Sequence, residues 1–145
     1  MREIEPGRLW IANAVEARDL RRVLDLGVEA IVDLAMQEPP LTVTREMIYL
    51  RIPIVDGGGN DQRRLTGAIE AIVNLLRREI PTLVTCSAGM SRSPAIVAAA
   101  LSLLQNRRPD EVLAWIAARM PHDISPLLWR DVQAAADSLR QPPLQ

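Results

Sequence analysis

The pattern of apolar and polar positions predicts short strands that alternate with helices. Short, nearly continuous apolar runs are typical of strands that are buried on both faces of a sheet. Such runs occur at positions 8–12, 28–35, 47–55 and 82–86. Helical spacing and proline or glycine boundaries predict helices at 15–27, 65–79 and 93–104, and after Pro109 and Pro126. The alternation indicates a single α/β domain over 1–145, with helices flanking a central, mostly parallel sheet of four to five strands.

One stretch joins a predicted strand to a predicted helix and carries unusual chemistry. The sequence "VTCSAGMSRSPAIV" contains the only cysteine of the chain, Cys86, followed by Gly89 and Arg92. In α/β sheets, ligands bind beyond the carboxyl ends of the strands. Cys86 lies at such an end, so the loop from Cys86 to Arg92 is the first candidate for a functional site.

Elementary chemistry suits this loop to a tetrahedral oxyanion such as phosphate. A turn into a helix leaves backbone N–H groups without partners, and the helix dipole adds partial positive charge. Gly89 lets the loop curl, and the guanidinium of Arg92 can hold two phosphate oxygens. The same positive field stabilises a thiolate, which would make Cys86 a nucleophile aimed at phosphorus. The alternative is a buried structural thiol beside an unrelated arginine.

The composition narrows the setting of the protein but does not change this interpretation of the loop. The net charge is −1, so no global field attracts nucleic acid or a membrane surface, and neither partner is expected. A single cysteine cannot form an internal disulfide, and the charged start "MREIEPGRLWIANA" lacks the apolar core of a signal peptide. These features predict a cytoplasmic protein. One cysteine and one histidine cannot supply a zinc site, so we expect no metal and no cofactor.

The spacing Cys-x-x-Gly-x-x-Arg-Ser, between a strand and a helix, resembles the signature of cysteine-dependent protein phosphatases. Within that superfamily, "AGMSRSPAIVAAAL" is most similar to the dual-specificity branch. Other parts of that domain are similar to "IEPGRLWIANAVEARD", "LGVEAIVDL" and "MPHDISPLLWRDV". The resemblance extends over nearly the whole chain, and it implies a phosphatase-like fold with a phosphate-binding loop between strand and helix.

The resemblance also implies a two-step mechanism through a phosphocysteine intermediate. Cys86 attacks phosphorus, while Arg92 and the loop amides stabilise the transition state. Ser93 hydrogen-bonds the thiolate and makes it a better leaving group in the second step. A carboxylic acid protonates the leaving oxygen, and its carboxylate then activates water. The residues implied to bind phosphate are Ser87, Ala88, Gly89, Met90, Ser91 and Arg92.

Asp56 is the predicted acid, since it follows a predicted strand and lies 30 residues before Cys86, as in the family pattern. Three glycines follow it and would give its loop freedom to close over substrate. Asp61 is the competitor, although its position suits the N-cap of the next helix better. Asp33, inside a predicted strand, is a poorer candidate.

The sequence departs from the family pattern at Thr85, where a histidine usually precedes the nucleophile. A threonine hydroxyl can donate one hydrogen bond to brace the loop but carries no charge. The departure predicts a less efficient enzyme with the same chemistry. His122, the only histidine, is interpreted as a solvated loop residue.

The variable positions of the loop carry no charge, whereas lipid phosphatases of this superfamily tend to have lysine there. This favours a phosphorylated protein as substrate, with phosphotyrosine ahead of phosphoserine and phosphothreonine. One alternative is a non-protein substrate such as a phosphoinositide, a sugar phosphate or an RNA 5′ end, whose extra charge Arg63 and Arg64 could meet. Another is a non-catalytic phosphate-binding module. Sulfurtransferases place a cysteine in a similar loop, but arginine followed by serine fits phosphatases better.

Overall fold

A five-stranded sheet forms the centre of the computed structural model, which describes residues 1–140. The strands are β1 (Arg2–Glu5), β2 (Leu9–Ala12), β3 (Ala30–Asp33), β4 (Ile48–Arg51) and β5 (Thr82–Thr85). Their order is β1-β2-β5-β3-β4, and only the β1–β2 pair is antiparallel. The predicted α/β fold with a mostly parallel sheet is therefore confirmed. Residues 141–145 of the predicted domain lie outside the described residues.

Helices cover both faces of this sheet because successive side chains of each strand point to opposite faces. The helices are α1 (Ala14–Arg18), α2 (Leu20–Asp25), α3 (Gln62–Arg77), α4 (Arg92–Gln105), α5 (Pro109–Ala117) and α6 (Pro126–Arg140). Val32 and Val84 share a buried cluster with α3, α4, α5 and α6. Their neighbours Ile31 and Leu83 share the opposite cluster with α1 and α2. None of the helices within residues 1–140 is long and apolar enough to cross a membrane.

Helix α4 lies at the centre of the larger helical layer and contacts α3, α5 and α6. Every residue from Arg92 to Ser102 is buried, as its almost wholly apolar sequence predicts. Alanines at 98–100 leave room for helices on several sides. Strand β5 occupies the middle of the sheet, so the loop between β5 and α4 emerges from the middle of both layers.

The single helix predicted over 15–27 is wrong, because the segment forms two short helices that meet at Asp19. The Asp19 side chain accepts a hydrogen bond from the backbone N–H of Arg22 and so caps the second helix. A short polar side chain that bonds the backbone in this way competes with helix continuation. The helical spacing of apolar residues is the same on both sides of Asp19, so this spacing does not indicate the break between α1 and α2.

Two strand boundaries also differ from those predicted. Strand β1 was missed because it is an edge strand, "REIE", in which only Ile4 is buried. The strand predicted over 47–55 ends at Arg51, before Pro53, which has no N–H to donate. Extended pairing with β3 nevertheless continues, since the N–H groups of Ile52 and Ile54 donate to the carbonyls of residues 33 and 34. Asp56 thus follows an extended segment that continues from β4.

The all-round burial of α4 generates a stability prediction. Ala99→Leu adds volume where the helix is fully buried, so we expect the free energy of unfolding to fall by about 1–3 kcal/mol. Ala134→Leu, on the exposed side of α6, is the matched control and should change it by less than about 0.5 kcal/mol. Urea denaturation of both variants tests this. Equal effects would mean that α4 is not packed as described.

Candidate active site

The loop between β5 and α4 presents backbone N–H groups that the protein itself does not use. Within residues 1–140, the N–H groups from Ser87 to Arg92 have no protein acceptor. Cys86 opens the loop and is 1% exposed, and no other cysteine accompanies it. A tetrahedral oxyanion bound in this loop would accept hydrogen bonds from these free amides.

The curl of the loop depends on a close approach between two stretches of backbone. Gly89 has a φ of 73°, and a Cβ added there would lie 3.1 Å from both the carbonyl carbon of Ala12 and the nitrogen of Asn13. The N–H of Ala14 donates to the Ser87 carbonyl at 3.0 Å. The loop is therefore seated on the junction between β2 and α1, and glycine is required there for both conformation and space.

Arg92 is 4% exposed, and its guanidinium is fixed by neutral oxygens. Its Nη1 donates to the carbonyl of Ile54 at 3.0 Å and to Oε1 of Gln37 at 3.2 Å. Its Nε is buried and has no protein partner within residues 1–140. A buried cation without a carboxylate partner is costly unless an anion completes it. The arrangement is suited to binding an oxyanion at the loop.

The structure brings the predicted acid, Asp56, to the same loop. The Ser91 hydroxyl donates to Oδ1 of Asp56 at 2.5 Å. The acid loop is tied down as well, because the Asn60 side chain bonds both the N–H and the carbonyl of Val55. Gly58 approaches Leu127 of α6, and the Gly59 N–H donates to Asp131 at 3.2 Å. In this structure the glycine-rich loop already contacts the phosphate loop and α6.

The two competing aspartates have other roles. Asp61 is the N-cap of α3, as its position predicted, and accepts from the backbone N–H of Arg63 at 2.8 Å. Side-chain hydrogen bonds from Arg63, together with that backbone bond, lower the pKa of Asp61 to about 2. The Asp61 carboxylate is thus bound to the start of α3 and to Arg63. Asp33 is buried and accepts from the Tyr49 hydroxyl at 2.6 Å.

A hydroxyl residue lies on each side of the loop in the sequence: Thr85 precedes Cys86, and Ser93 follows Arg92. Ser93 is fully buried, and its Oγ has no protein partner within the described part of the chain. Thr85 is also buried, and its Oγ1 donates to the Cys86 carbonyl at 3.4 Å. Thr85 thus makes one long hydrogen bond to the loop backbone, which is the kind of brace expected of it.

His122 lies in the loop before α6, as predicted, and the sequence did not indicate Gln37 or Ser125 as site residues. His122 is half-buried, and its Nδ1 is shielded without a protein partner among residues 1–140. Its neighbour Asp123 donates its N–H to the Met90 carbonyl at 2.8 Å, which draws the segment onto the loop. Gln37 and Ser125 act across long sequence separations. Gln37 lies in no motif, and Ser125 lies in the family-like segment "MPHDISPLLWRDV", which does not indicate its partner.

Residues 1–140 contain no group of three or more His, Cys, Asp or Glu side chains that could hold a metal ion.

Comparison with known proteins agrees with this geometry. Residues 6–105 match the family model described as "Polymorphic toxin system, DSP-PTPase phosphatase". The chain belongs to the dual-specificity phosphatase family. That family model includes β2, β5, the phosphate loop and α4, so the resemblance predicted from the loop motif is confirmed.

Known dual-specificity phosphatases match most of the chain. Dual specificity protein phosphatase Mpk3 of Drosophila melanogaster is 28% identical over 126 residues, which are 86% of this chain and 30% of that protein. The chain thus spans about a third of that relative's length. Human DUSP28 has the same fold, with a TM-score of 0.83 at 22% identity over 97% of this chain and 98% of that one. DUSP15 gives a TM-score of 0.79 at 25% identity, covering 94% and 86% of the two chains.

The seating of the phosphate loop on the β2–α1 junction generates a prediction at Gly89. Gly89→Ala would push the loop backbone off that junction, and we expect phosphatase activity to fall on the order of 10²-fold. Gly27→Ala is the control, since Gly27 also has a positive φ, 84°, but has nothing within 4 Å of an added Cβ. It should cost about 1–2 kcal/mol of unfolding free energy and leave activity near that of the wild type. Equal activity in the two variants would contradict the claim that a Cβ at position 89 clashes with the β2–α1 junction.

Proposed function

We propose that this dual-specificity phosphatase domain hydrolyses phosphomonoesters through a phosphocysteine intermediate on Cys86. The proposal depends on one observation: the loop with free amides and the buried Arg92 guanidinium also holds Asp56, through Ser91. Nucleophile, anion-binding groups and acid thus meet at the carboxyl end of β5. The reaction class follows from these roles together with the family.

In the first step the phosphoryl group moves from the substrate oxygen to sulfur. The Cys86 thiolate forms a bond to phosphorus as the bond from phosphorus to the leaving oxygen breaks. Asp56, protonated, gives its proton to that oxygen, so a neutral alcohol or phenol departs. Arg92 and the loop amides stabilise the charge that builds on the equatorial oxygens.

In the second step water attacks the phosphocysteine and the sulfur–phosphorus bond breaks. The Asp56 carboxylate takes a proton from the water, which restores the acid for the next cycle. The departing thiolate would receive a hydrogen bond from Ser93, whose buried hydroxyl has no protein partner within residues 1–140. Inorganic phosphate is the product.

The surroundings of the loop favour a protein phosphotyrosine as substrate. Met90 and Val55 are apolar and partly exposed, at 39% and 41%, and they adjoin the loop and the acid. Apolar side chains at this position suit an aromatic leaving group better than a cluster of phosphates. Phosphoserine and phosphothreonine are the next candidates, since their shorter side chains reach less far into the loop. We place the reaction in the cytoplasm.

A phosphoinositide is the second candidate, because the similar fold of PTPMT1 has been crystallised in complex with PI(5)P. Further phosphates would need further cations. The two arginines beside the acid loop already have partners, since Arg63 pairs with Asp61 at 2.7 Å and Arg64 donates to the Pro53 carbonyl at 3.2 Å. These contacts support a substrate with one phosphate.

A non-catalytic module that binds phosphate is the third candidate. A similar fold, with a TM-score of 0.82, belongs to a human protein named tyrosine phosphatase-like serine/threonine/tyrosine-interacting protein. The present chain retains the complete set of Cys86, Arg92 and Asp56, which a binding module does not need. That set favours catalysis.

The nucleophile is tested by Cys86→Ser. Removal of the thiolate should lower hydrolysis of an aryl phosphate by more than about 10³-fold. The fold and phosphate binding should survive, because the loop amides and Arg92 remain; thermal melting and calorimetric titration with phosphate check this. Substantial turnover by the pure variant would exclude the phosphocysteine mechanism.

The acid is tested by comparing Asp56→Asn with Asp61→Asn. Asp56→Asn removes the acid and should slow hydrolysis of a phosphotyrosine peptide by about 10²-fold. Hydrolysis of an ester with an acidic leaving group should slow less, because that leaving group needs no proton. A general acid works only while protonated, so the wild-type rate should fall as pH rises through its ionisation, and Asp56→Asn should lack that fall. Asp61, with a pKa of about 2, is already ionised and should contribute nothing to it. The assignment of Asp56 as the acid fails if Asp61→Asn abolishes the decrease in rate with rising pH and Asp56→Asn does not.

A further inference from the structure

Ser91 occupies the N-cap of α4 but does not cap the helix. Serine at this position ordinarily accepts a hydrogen bond from the N–H of the second or third helical residue. The third residue here is Pro94, which has no N–H, and the Ser91 side chain makes no capping bond. Ser91 is 8% exposed, so its hydroxyl needs partners within the protein.

Both partners of this hydroxyl lie on other segments. The N–H of Ser125 donates to Ser91 Oγ at 3.3 Å, and Ser91 Oγ lies 2.5 Å from Oδ1 of Asp56. A backbone N–H can only donate, so Ser91 accepts there and keeps its single proton for Asp56. Ser125 therefore fixes the direction in which the Ser91 hydroxyl points.

We propose that Ser91 is a positioning residue for the acid, and that it assigns the two oxygens of Asp56 different tasks. Oδ1 accepts from Ser91, so the proton that Asp56 transfers is carried on Oδ2. The same bond keeps the exposed Asp56 side chain over the phosphate loop before substrate arrives. This inference rests on the proposed function, since it concerns the proton given to the leaving oxygen.

The segment that supplies Ser125 is itself anchored to the phosphate loop. The Asp123 N–H donates to the Met90 carbonyl at 2.8 Å, one residue before Ser91. Movement of the loop on phosphate binding would therefore carry Ser91, Ser125 and Asp56 together. Coupling of this kind keeps the acid aligned with the phosphoryl group, for which small misplacements are costly.

The test compares Ser91→Ala with Ser91→Thr, which retains a hydroxyl. The measured quantity is the ratio of kcat/KM for a phosphotyrosine peptide to that for an aryl phosphate with an acidic leaving group. Ser91→Ala should lower this ratio about tenfold. That is less than the effect of Asp56→Asn, because the acid is misplaced and not removed. Ser91→Thr should restore most of it. Ser102→Ala is the matched control, because Ser102 is buried on the same helix and bonds only the Ala99 carbonyl, at 2.6 Å.

A double-mutant cycle separates positioning from a merely structural role. In an Asp56→Asn background, Ser91→Ala should cost less than it does alone, since the group it positions is absent. Equal costs in both backgrounds, or an unchanged substrate ratio, would overturn the inference while leaving the phosphatase assignment intact. Wild-type protein without Cys86-dependent turnover would instead overturn the proposed function and the positioning role of Ser91 with it.

A second readout does not require activity. Loss of the Ser91 bond should raise hydrogen exchange of the backbone amides at 56–60 in Ser91→Ala, measured by mass spectrometry, and leave Ser102→Ala unchanged. Unchanged exchange in Ser91→Ala would overturn the claim that this bond holds the acid loop.

Discussion

The contact between Gly89 and the backbone at Ala12 and Asn13 is the constraint on which the rest of the site depends. Because the loop is seated there, its N–H groups have no acceptor in the described chain and are free for an oxyanion. The seating requires β2 and β5 to be parallel neighbours, so that their carboxyl ends meet at one edge. The position of β5 in the middle of the sheet and the burial of α4 then fix the loop from both sides.

Arg92 links the phosphate loop to the segments that follow the neighbouring strands. Its bonds to Ile54 and Gln37 join α4 to the segments that follow β4 and β3. Asp33 contributes indirectly, because its bond to Tyr49 ties β3 to β4 beneath those segments. A buried cation held by neutral oxygens keeps an unsatisfied preference for an anion, which connects the architecture of the sheet to phosphate chemistry.

The local parts of the site could be predicted from the sequence, whereas its long-range contacts could not. Cys86, Gly89 and Arg92 lie within one loop and share one motif, and Asp61 has the sequence signature of an N-cap. The break at Asp19 and the edge strand around Ile4 depend on a side-chain bond and on pairing that apolar periodicity does not record. Gln37 and Ser125 contribute through single hydrogen bonds to residues 55 and 34 positions away, and no local pattern indicates those partners.

Detection of phosphate on Cys86 during turnover tests the phosphocysteine mechanism most directly. Rapid acid quench of the protein with an aryl phosphate, followed by peptide mass spectrometry, measures the phosphorylated fraction of the Cys86 peptide. Ser93→Ala should raise this fraction, because the buried Ser93 hydroxyl is free to donate the hydrogen bond that we propose for the departing thiolate. We expect one phosphoryl group on Cys86, formed as fast as the first turnover. Turnover at a normal rate with no phosphoryl group on that peptide, in either protein, would contradict it.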